Sequence, residues 1–276
     1  MLQMVEVWTA QGSLLSLPLD DISDGIIVSS IDGLDPVKAT LVSSSFARQD
    51  GEQYQSARRE ARNITVKLEL EPDFITESVR DVRSRLYEFF MPKSMVTLRF
   101  HTSIGLDVEI QGVVESMETP MFTKDPEVDI SIMCFDPDFK SLEPVVFNGV
   151  STSSTLESVL PYSGTVETGF ELTLNVNRTM SEFTLYHRPP DGTIRSMEFT
   201  AALVAGDVVT ISTVSGAKGA ILNRAGAATA VSSILYAISP QSNWIELSPG
   251  ENRVRLYAEG AAVPFTIAYT TRYGGL

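Results

Sequence analysis

Chemically reactive side chains are scarce in this sequence. Cys134 is the only cysteine, and His101 and His187 are the only histidines among 276 residues. A single cysteine excludes an intramolecular disulfide, which fits a reducing compartment or a protein that needs no covalent cross-link. Each histidine ends a predicted strand, so we expect surface or strand-end roles for both. Cys134 alternates with Ile130 and Ile132, which predicts a buried, inert thiol and no zinc site.

Catalytic motifs are also missing. The sequence contains no GxSxG, no P-loop and no HExxH. Neighbouring carboxylates, such as Asp20 with Asp21 and Asp136 with Asp138, lie in turns or alternate with strand residues. We interpret them as solvated surface rather than as the acid pair of a glycosidase. We therefore expect a protein that is not an enzyme and that uses no cofactor or metal.

Positive charge is the third shortage. The chain has 21 Lys and Arg against 35 Asp and Glu, a net charge of -14, and its first cation is Lys38. This balance disfavours general nucleic-acid binding, which needs clustered cations, and docking on an anionic membrane. Without a positive N-terminal region we expect no secretory signal. The longest weakly apolar run, GAATAVSSILYAI, is too short and too polar to span a bilayer.

The negative charge is unevenly distributed along the chain. Residues 1–140 carry a net charge of -11 and residues 141–276 a net charge of -3. With 43% hydrophobic residues, both parts can bury a core. The difference predicts two domains, 1–140 and 166–276, joined by a Ser- and Thr-rich linker over 141–165.

The first domain is predicted to combine strands with one helix. Residues 26–31 form an apolar run, and the segment NITVKLEL (63–70) alternates apolar and polar residues without a break. Three more strands follow, beginning at 95, 106 and 127. Between them, apolar residues recur at helical spacing from Thr76, the expected N-cap, to Pro92. A polar loop should fill 34–61. We expect a β-barrel or sandwich with a helix packed on it.

The second domain is predicted to be all β. Short alternating segments such as FELTLNVN, EFTLYH, DVVTIST and PFTIAYTTRY are separated by turn signals such as PPDG and SPGEN. Regular short strands without a helix are typical of a β-sandwich or jelly roll.

A cluster of arginines interrupts the acidic background. Arg48, Arg58, Arg59 and Arg62 lie in or just before the stretch GEQYQSARREARNITVKLEL. It lacks the aromatic residues of a nucleic-acid platform. A solvated face is one interpretation. An inter-subunit surface is the other, since arginine pairs well with carboxylates and a head-to-tail contact between copies closes into a ring. On that hypothesis all four are interface candidates, and Arg58, Arg59 and Arg62 meet carboxylates of an adjacent subunit.

The order of several motifs resembles a known family. DGIIVSSIDG, the Arg-rich loop into RNITVKLEL, an amphipathic helix before MVTLRF, and ISIMCFDPDF follow one another in the first half. VAGDVVTISTVSGAKGAIL, SNWIELSPGENRVRLYAEG and FTIAYTTRYGGL follow in the second. Together they resemble the distal tail protein, Dit, of long-tailed (siphovirus-type) bacteriophages. The stretch PPDGTIRSMEFTAAL departs from that pattern.

The resemblance implies a structural virion protein at the tail tip, assembled in the host cytoplasm. It implies a tail-tube-like N-terminal domain that forms a homo-hexameric ring, and a galectin-like C-terminal domain that presents receptor-binding proteins or side fibres. The ring would join the tail tube to the baseplate hub or tail-associated protein. DNA would pass through it without specific binding, past a bore that we hypothesise to be lined by carboxylates.

Two alternatives remain beside this interpretation. One is a carbohydrate-binding module for host attachment, with Trp244 as the sugar contact, although Trp244 also fits a packing role in its sandwich. The other is a tail tube protein that polymerises into long stacks; the second domain favours a single ring at a junction.

Overall fold

The computed structural model describes residues 1–21, 24–47, 50–73, 75–120, 126–224, 226 and 231–276. Within these residues the chain is mainly β, with one α-helix and one short 3-10 helix (Leu235–Ala237). The elements in chain order are β1 (Leu2–Thr9), β2 (Leu14–Pro18), β3 (Ile26–Asp32), β4 (Ala39–Ser44), β5 (Gln53–Arg59), β6 (Arg62–Leu70), α1 (Val79–Phe90), β7 (Met95–Thr102), β8 (Val108–Glu118), β9 (Glu127–Cys134), β10 (Phe139–Ser141), β11 (Val145–Val150), β12 (Ser158–Tyr162), β13 (Phe170–Asn175), β14 (Met180–Arg188), β15 (Arg195–Leu203), β16 (Val208–Ser212), β17 (Gly219–Asn223), β18 (Val231–Ser233), β19 (Gly250–Tyr257), β20 (Pro264–Tyr269) and β21 (Arg272–Tyr273).

The chain divides into two compact units. The first comprises Met1–Leu142 and Tyr273–Leu276, and the second is Glu143–Arg272. The chain therefore passes between the units twice, and the second unit is an insertion close to the end of the first. Strands β11 and β12 lie in the stretch 141–165, for which we expected a linker; almost all of that stretch belongs to the second unit.

The first unit is built on one sheet with the strand order β2-β1-β7-β8-β9-β6-β3, and β10 pairs with β8 and β21. The alternation in β6 has the predicted result, because its apolar residues face the core and its polar residues face outward. In the pairing of β6 with β9, Val66 lies opposite Ile130 and Ile64 opposite Ile132, all buried. Strands β1 and β2 at the start of the chain were not predicted.

Helix α1 closes this core with the buried side chains Val82, Leu86, Phe89 and Phe90. Its N-cap is Ser78 rather than the predicted Thr76. The Ser78 backbone N–H donates to the Asp81 carboxylate over 3.0 Å, and the Ser78 hydroxyl donates to the same oxygen over 2.7 Å. These two hydrogen bonds to the Asp81 carboxylate fix Ser78 as the N-cap, so the helix starts at Val79.

The second unit has two sheets, with orders β11-β20-β13-β16-β17-β18 and β12-β19-β14-β15. Their inward residues form a single apolar cluster that includes Phe170, Leu185, Phe199 and Ile267. Two sheets sharing one core make a sandwich, so the mainly β fold with one α-helix is confirmed for the described residues. The galectin-like detail of this sandwich stays a prediction.

Candidate functional site

Strands β4 and β5 form a two-stranded sheet of their own, which we call the arm (39–44 and 53–59). Every residue of β5 is exposed, and Leu41 and Tyr54 are 67% and 64% exposed. We predicted a polar loop here, which was wrong. The sequence SARR in β5 has no apolar alternation because neither face of the arm is buried in the chain itself.

The two faces of the arm carry different side chains. Cross-strand partners share a face, so one side carries Arg59 with Ala39, Leu41 with Ala57 and, beyond a register shift, Tyr54 with Ser43. The other, more polar side carries Arg58 opposite Thr40 and Ser56 opposite Val42. An isolated two-stranded hairpin is marginally stable in water, so an arm of this kind depends on how its two ends are held.

Arg62, just after the arm, holds those ends. It is 1% exposed, although arginine is almost never fully buried unless it is paired. Its guanidinium lies 4.4 Å from the centroid of the Phe139 ring. The group donates to four backbone carbonyls, from Nε to Pro137 at 2.8 Å, from Nη1 to Gly33 and to Asp35 at 2.7 Å, and from Nη2 to Gly274 at 2.6 Å.

These carbonyls belong to segments before and after the arm in the sequence. Gly33 and Asp35 precede β4, whereas Gly274 follows β21. Gly33 has a φ of +89°, and a Cβ there would lie 2.0 Å from the Asn63 carbonyl oxygen, so only glycine fits. Burial lowers the pKa of Arg62, but an arginine stays charged at any pH in this context. A permanent cation thus binds the loop before the arm to the chain end.

Arg59, the last residue of the arm, is held by a second charged contact. Its two terminal nitrogens each donate to one oxygen of Asp138, a carboxylate that is 1% exposed. This bidentate hydrogen bond raises the pKa of Arg59 above its ordinary value. Together, Arg59 and Arg62 fix the position from which the arm leaves the first unit; we call these two residues and their partners the root of the arm.

The predicted arginine cluster therefore separates into different roles. Arg62 is buried and Arg59 is paired within its own chain, so the prediction that Arg62 meets a neighbouring subunit was wrong, and Arg59 already has an intramolecular carboxylate. Arg58 is exposed on the polar side of the arm. Arg48 lies outside the described residues. The sequence shows four neighbouring cations but not which of them the tertiary fold surrounds with carbonyls.

Trp244 packs against the core cluster of the second unit and is only partly exposed. The Lys218 ammonium lies 5.7 Å from the centroid of its ring. These contacts agree with the packing role, and the sugar contact stays a prediction.

His187 lies near the end of β14, in line with the strand-end role that we expected, but it is buried rather than at the surface. Its Nε2 lies 2.9 Å from Asn252 Oδ1, which also accepts the Ser248 N–H over 3.1 Å. Asn252 Nδ2 donates to the carbonyls of Ser248 and Gly250 over 2.8 and 3.0 Å, so the amide orientation is fixed and His187 Nε2 must be the donor.

The other ring nitrogen of His187, Nδ1, has no hydrogen-bond partner among the described residues. Burial lowers the pKa of His187, which is therefore neutral at pH 7. Only the turn motif SPGEN hinted at this cluster.

Cys134 is fully buried, as predicted. Burial raises the pKa of its thiol to about 11, with Arg62 opposing the shift, so the reactive thiolate is not populated at neutral pH. Within the described parts of the chain, no group of three or more His, Cys, Asp and Glu side chains could hold a metal ion. No helix among the same residues is long and apolar enough to cross a membrane.

Comparisons with known proteins agree with this architecture. Residues 163–273 match the family described as Siphovirus-type tail component, C-terminal domain. The structure resembles that of the Dit protein of phage SPP1, whose structure is described as a paradigm of the hub adsorption apparatus in phages that infect Gram-positive bacteria. The TM-score is 0.69 with 15% identity, over 97% of this chain and 98% of the SPP1 chain. No curated protein matches the chain at a significant level.

Two structures of the phage p2 baseplate in its activated conformation, with Ca and with Sr, are more distant. Their TM-scores are 0.45 and 0.43, both at 11% identity, over 97% and 96% of this chain and 98% and 97% of those chains.

The resemblance drawn from the sequence agrees with both findings. Residues 163–273 match the siphovirus-type tail component domain, and the chain has a fold similar to that of the SPP1 Dit protein. The matching family is described as a tail component rather than as an enzyme, in agreement with the expectation of a non-enzymatic protein.

Proposed function

We propose that this chain is a structural protein of the phage tail tip that assembles through its first unit into a homo-hexameric ring. The ring joins the tail tube to the baseplate hub or tail-associated protein, and the second unit presents receptor-binding proteins or side fibres. The virion is its final location, after assembly in the host cytoplasm. The family match and the Dit-type fold support this assignment.

The observation that carries the self-assembly is the arm. It is exposed on both sides, yet Arg59 and Arg62 fix its root to the first unit. An arm that is held at its root and lacks a partner of its own suits a contact with a neighbouring copy. Because arm and recipient are different surfaces, the contact is head to tail, and six such contacts close a ring.

Burial and charge both favour this contact. Docking would bury Leu41 and Tyr54, and apolar burial contributes about 25 cal/mol for each Å² removed from water. Among the described arginines of the cluster, Arg58 is then the one that remains for a carboxylate of the neighbour, and the first 140 residues carry a net charge of -11. The same acidic excess supports our hypothesis that carboxylates line the bore, where they would repel passing DNA.

The test is native mass measurement with negative-stain imaging of the purified protein. We expect sixfold rings for the natural chain, and monomers for the double variant Leu41→Asp and Tyr54→Asp, with an unchanged circular dichroism spectrum. The matched control is Ile104→Asp, which removes an apolar side chain that is 80% exposed in the first unit but outside the arm.

The control should still form rings. Rings from the double variant would contradict the role of the arm, and a natural chain that stays monomeric at all concentrations, alone and with its tail tube protein, would contradict the proposed function.

A further inference from the structure

A cavity opens on the outer face of the sheet in the first unit, beside the root of the arm. Its volume is about 270 Å³, and it lies between β7, β8 and the segment from Phe135 to Lys140. Asp138 lines this cavity and is also the carboxylate that holds Arg59, the last residue of the arm. The cavity and the attachment point of the arm therefore share one residue.

One part of the cavity wall is apolar although it faces away from the core. Met95 lies opposite Val113, and Val113 opposite Met133, so three apolar side chains lie side by side across β7, β8 and β9. Met95 is 48% exposed, and Phe135, just beyond β9, is 74% exposed. The outward side of an antiparallel sheet is ordinarily polar, and methionine adapts well to the shape of a bound group. This part of the wall is therefore suited to an apolar side chain from outside the unit.

The remaining part of the wall is polar, and its charges already have partners. The Glu109 carboxylate accepts a hydrogen bond from Arg99 Nε over 3.1 Å. The Asp136 carboxylate lies 2.9 Å from Lys140 Nζ. Gln111 is exposed on β8, where its amide can donate or accept a hydrogen bond. Because the charges are paired within the chain, the cavity suits an uncharged group with an apolar body and one hydrogen-bonding end.

We propose that this cavity is the seat for the arm of a neighbouring copy, and that Tyr54 is the side chain that fills it. Tyrosine combines an apolar ring with a hydroxyl that seeks a hydrogen-bond partner when buried, which matches the two parts of the wall. A cavity of about 150 Å³ already holds benzene, so the phenol ring fits here with room for part of Leu41, which shares its side of the arm. The seat rests on the proposed self-assembly and identifies the surface that receives the arm.

The arm of the same copy does not reach the seat. Tyr54 precedes Arg59 by five residues in β5, which places it about 17 Å from the root at 3.3 Å per residue. The cavity lies at the root, and this distance is longer than a tyrosine side chain. Tyr54 is accordingly 64% exposed in its own chain. Each copy thus offers one tyrosine and one seat on different surfaces, and pairing them between copies is a head-to-tail contact.

A photo-cross-link between two variants that cannot form rings tests the seat. The donor chain carries benzoylphenylalanine in place of Tyr54, which keeps an aromatic ring there, together with Gln111→Trp, which fills its own seat. The acceptor chain carries Tyr54→Asp and keeps an open seat. After irradiation of the mixture we expect one cross-linked heterodimer, in which peptide mass analysis joins the arm to Met95 or to 133–140. The matched acceptor with Tyr54→Asp and Gln111→Trp should give at least tenfold less of this adduct.

Two further variants control for folding and for the position of the label. An acceptor with Tyr54→Asp and Met95→Lys, which places a charge in the apolar part of the seat, should also give at least tenfold less adduct. Both altered acceptors should keep the circular dichroism spectrum of the natural chain, since residues 95 and 111 are exposed. Benzoylphenylalanine at Ile104, an exposed residue of the first unit outside the arm, should not label the seat.

The absence of an adduct, equal adducts from open and altered acceptors, or adducts that join the arm to another surface would overturn the proposal. Ring formation by the natural chain is imaged separately. Rings without this cross-link would remove the seat and keep the proposed function, whereas the cross-link without rings would keep the seat and remove the ring.

Discussion

Two buried polar side chains that connect distant parts of the chain, Arg62 in the first unit and His187 in the second, use different chemistry. The first unit buries Arg62, a permanent cation that donates to four backbone carbonyls. The second unit buries His187, which donates one hydrogen bond to Asn252 and leaves its other nitrogen without a partner among the described residues. The first arrangement requires a charge, whereas the second requires its absence.

This difference predicts how the stability of each unit should respond to pH. Arg62 stays protonated at any pH, so the root of the arm is insensitive to acid through this residue. His187 can accept a proton in the unfolded chain far more easily than in the folded one. The chain offers a convenient probe for each unit, because its two tryptophans are Trp8 in the first and Trp244 in the second.

Replacing Arg62 should have the largest effect. Arg62→Met keeps an apolar stem beside Phe139 but leaves buried carbonyls without a donor, and we expect a loss of about 3–5 kcal/mol in the free energy of unfolding. The measurement is urea unfolding in a Trp244→Phe background, which reports the first unit. Maleimide labelling of Cys134, slow in the natural chain, should accelerate.

The control for this prediction is Arg58→Met, which should change stability by less than about 0.5 kcal/mol because Arg58 is exposed. Equal stability of the two variants would show that the carbonyl contacts of Arg62 are not needed. By the same reasoning, replacing Arg62 by Glu should unfold the first unit, because a buried carboxylate would face four backbone carbonyls.

Removing the partner of His187 should have a smaller effect. Asn252→Ala leaves His187 Nε2 and the 248–250 turn without their side-chain contacts, which should cost about 1–3 kcal/mol. Urea unfolding in a Trp8→Phe background reports the second unit. We expect no change in the free energy of unfolding of the first unit. A loss of equal size in both units would contradict the expectation that the Asn252 contacts stabilise the second unit alone.

The effect of pH on stability should be the smallest of the three, and it should differ most clearly between the two units. Because burial lowers the pKa of His187 below 6.5, the unfolded state binds the proton first. Its contribution to stability is complete above pH 6.5 and is lost as the pH falls from there towards the folded pKa, by at most about 1.4 kcal/mol for each pH unit.

Trp244 fluorescence should therefore show lower urea midpoints for the second unit between pH 6.5 and 5. His187→Gln, which can still donate to Asn252, should flatten this dependence, and His101→Gln should not. If the urea midpoint of His187→Gln fell with pH as steeply as that of the natural chain, groups other than His187 would be responsible.

The predictable parts of the structure are those with a strong local pattern. The alternation of β6 and the helical spacing of α1 placed both correctly, because one face of each is buried. The arm escaped detection because its Ser, Gln and Ala residues bury no face. Arg62 escaped for a different reason: its partners Gly33 and Gly274 lie 29 and 212 residues away in the sequence, and no local pattern records that approach. His187 and Asn252, 65 residues apart, are a similar case.

The insertion of the second unit has a practical consequence for protein engineering. A fragment cut after Leu142 would lack Tyr273 and Gly274, and with them one carbonyl partner of Arg62. The pairing of β10 with β21 places the strands that lead to the two cut ends side by side. Deleting the insertion and bridging 142 to 273 with a short glycine linker should thus yield a self-sufficient scaffold, into which foreign binding modules of similar end-to-end distance can be grafted.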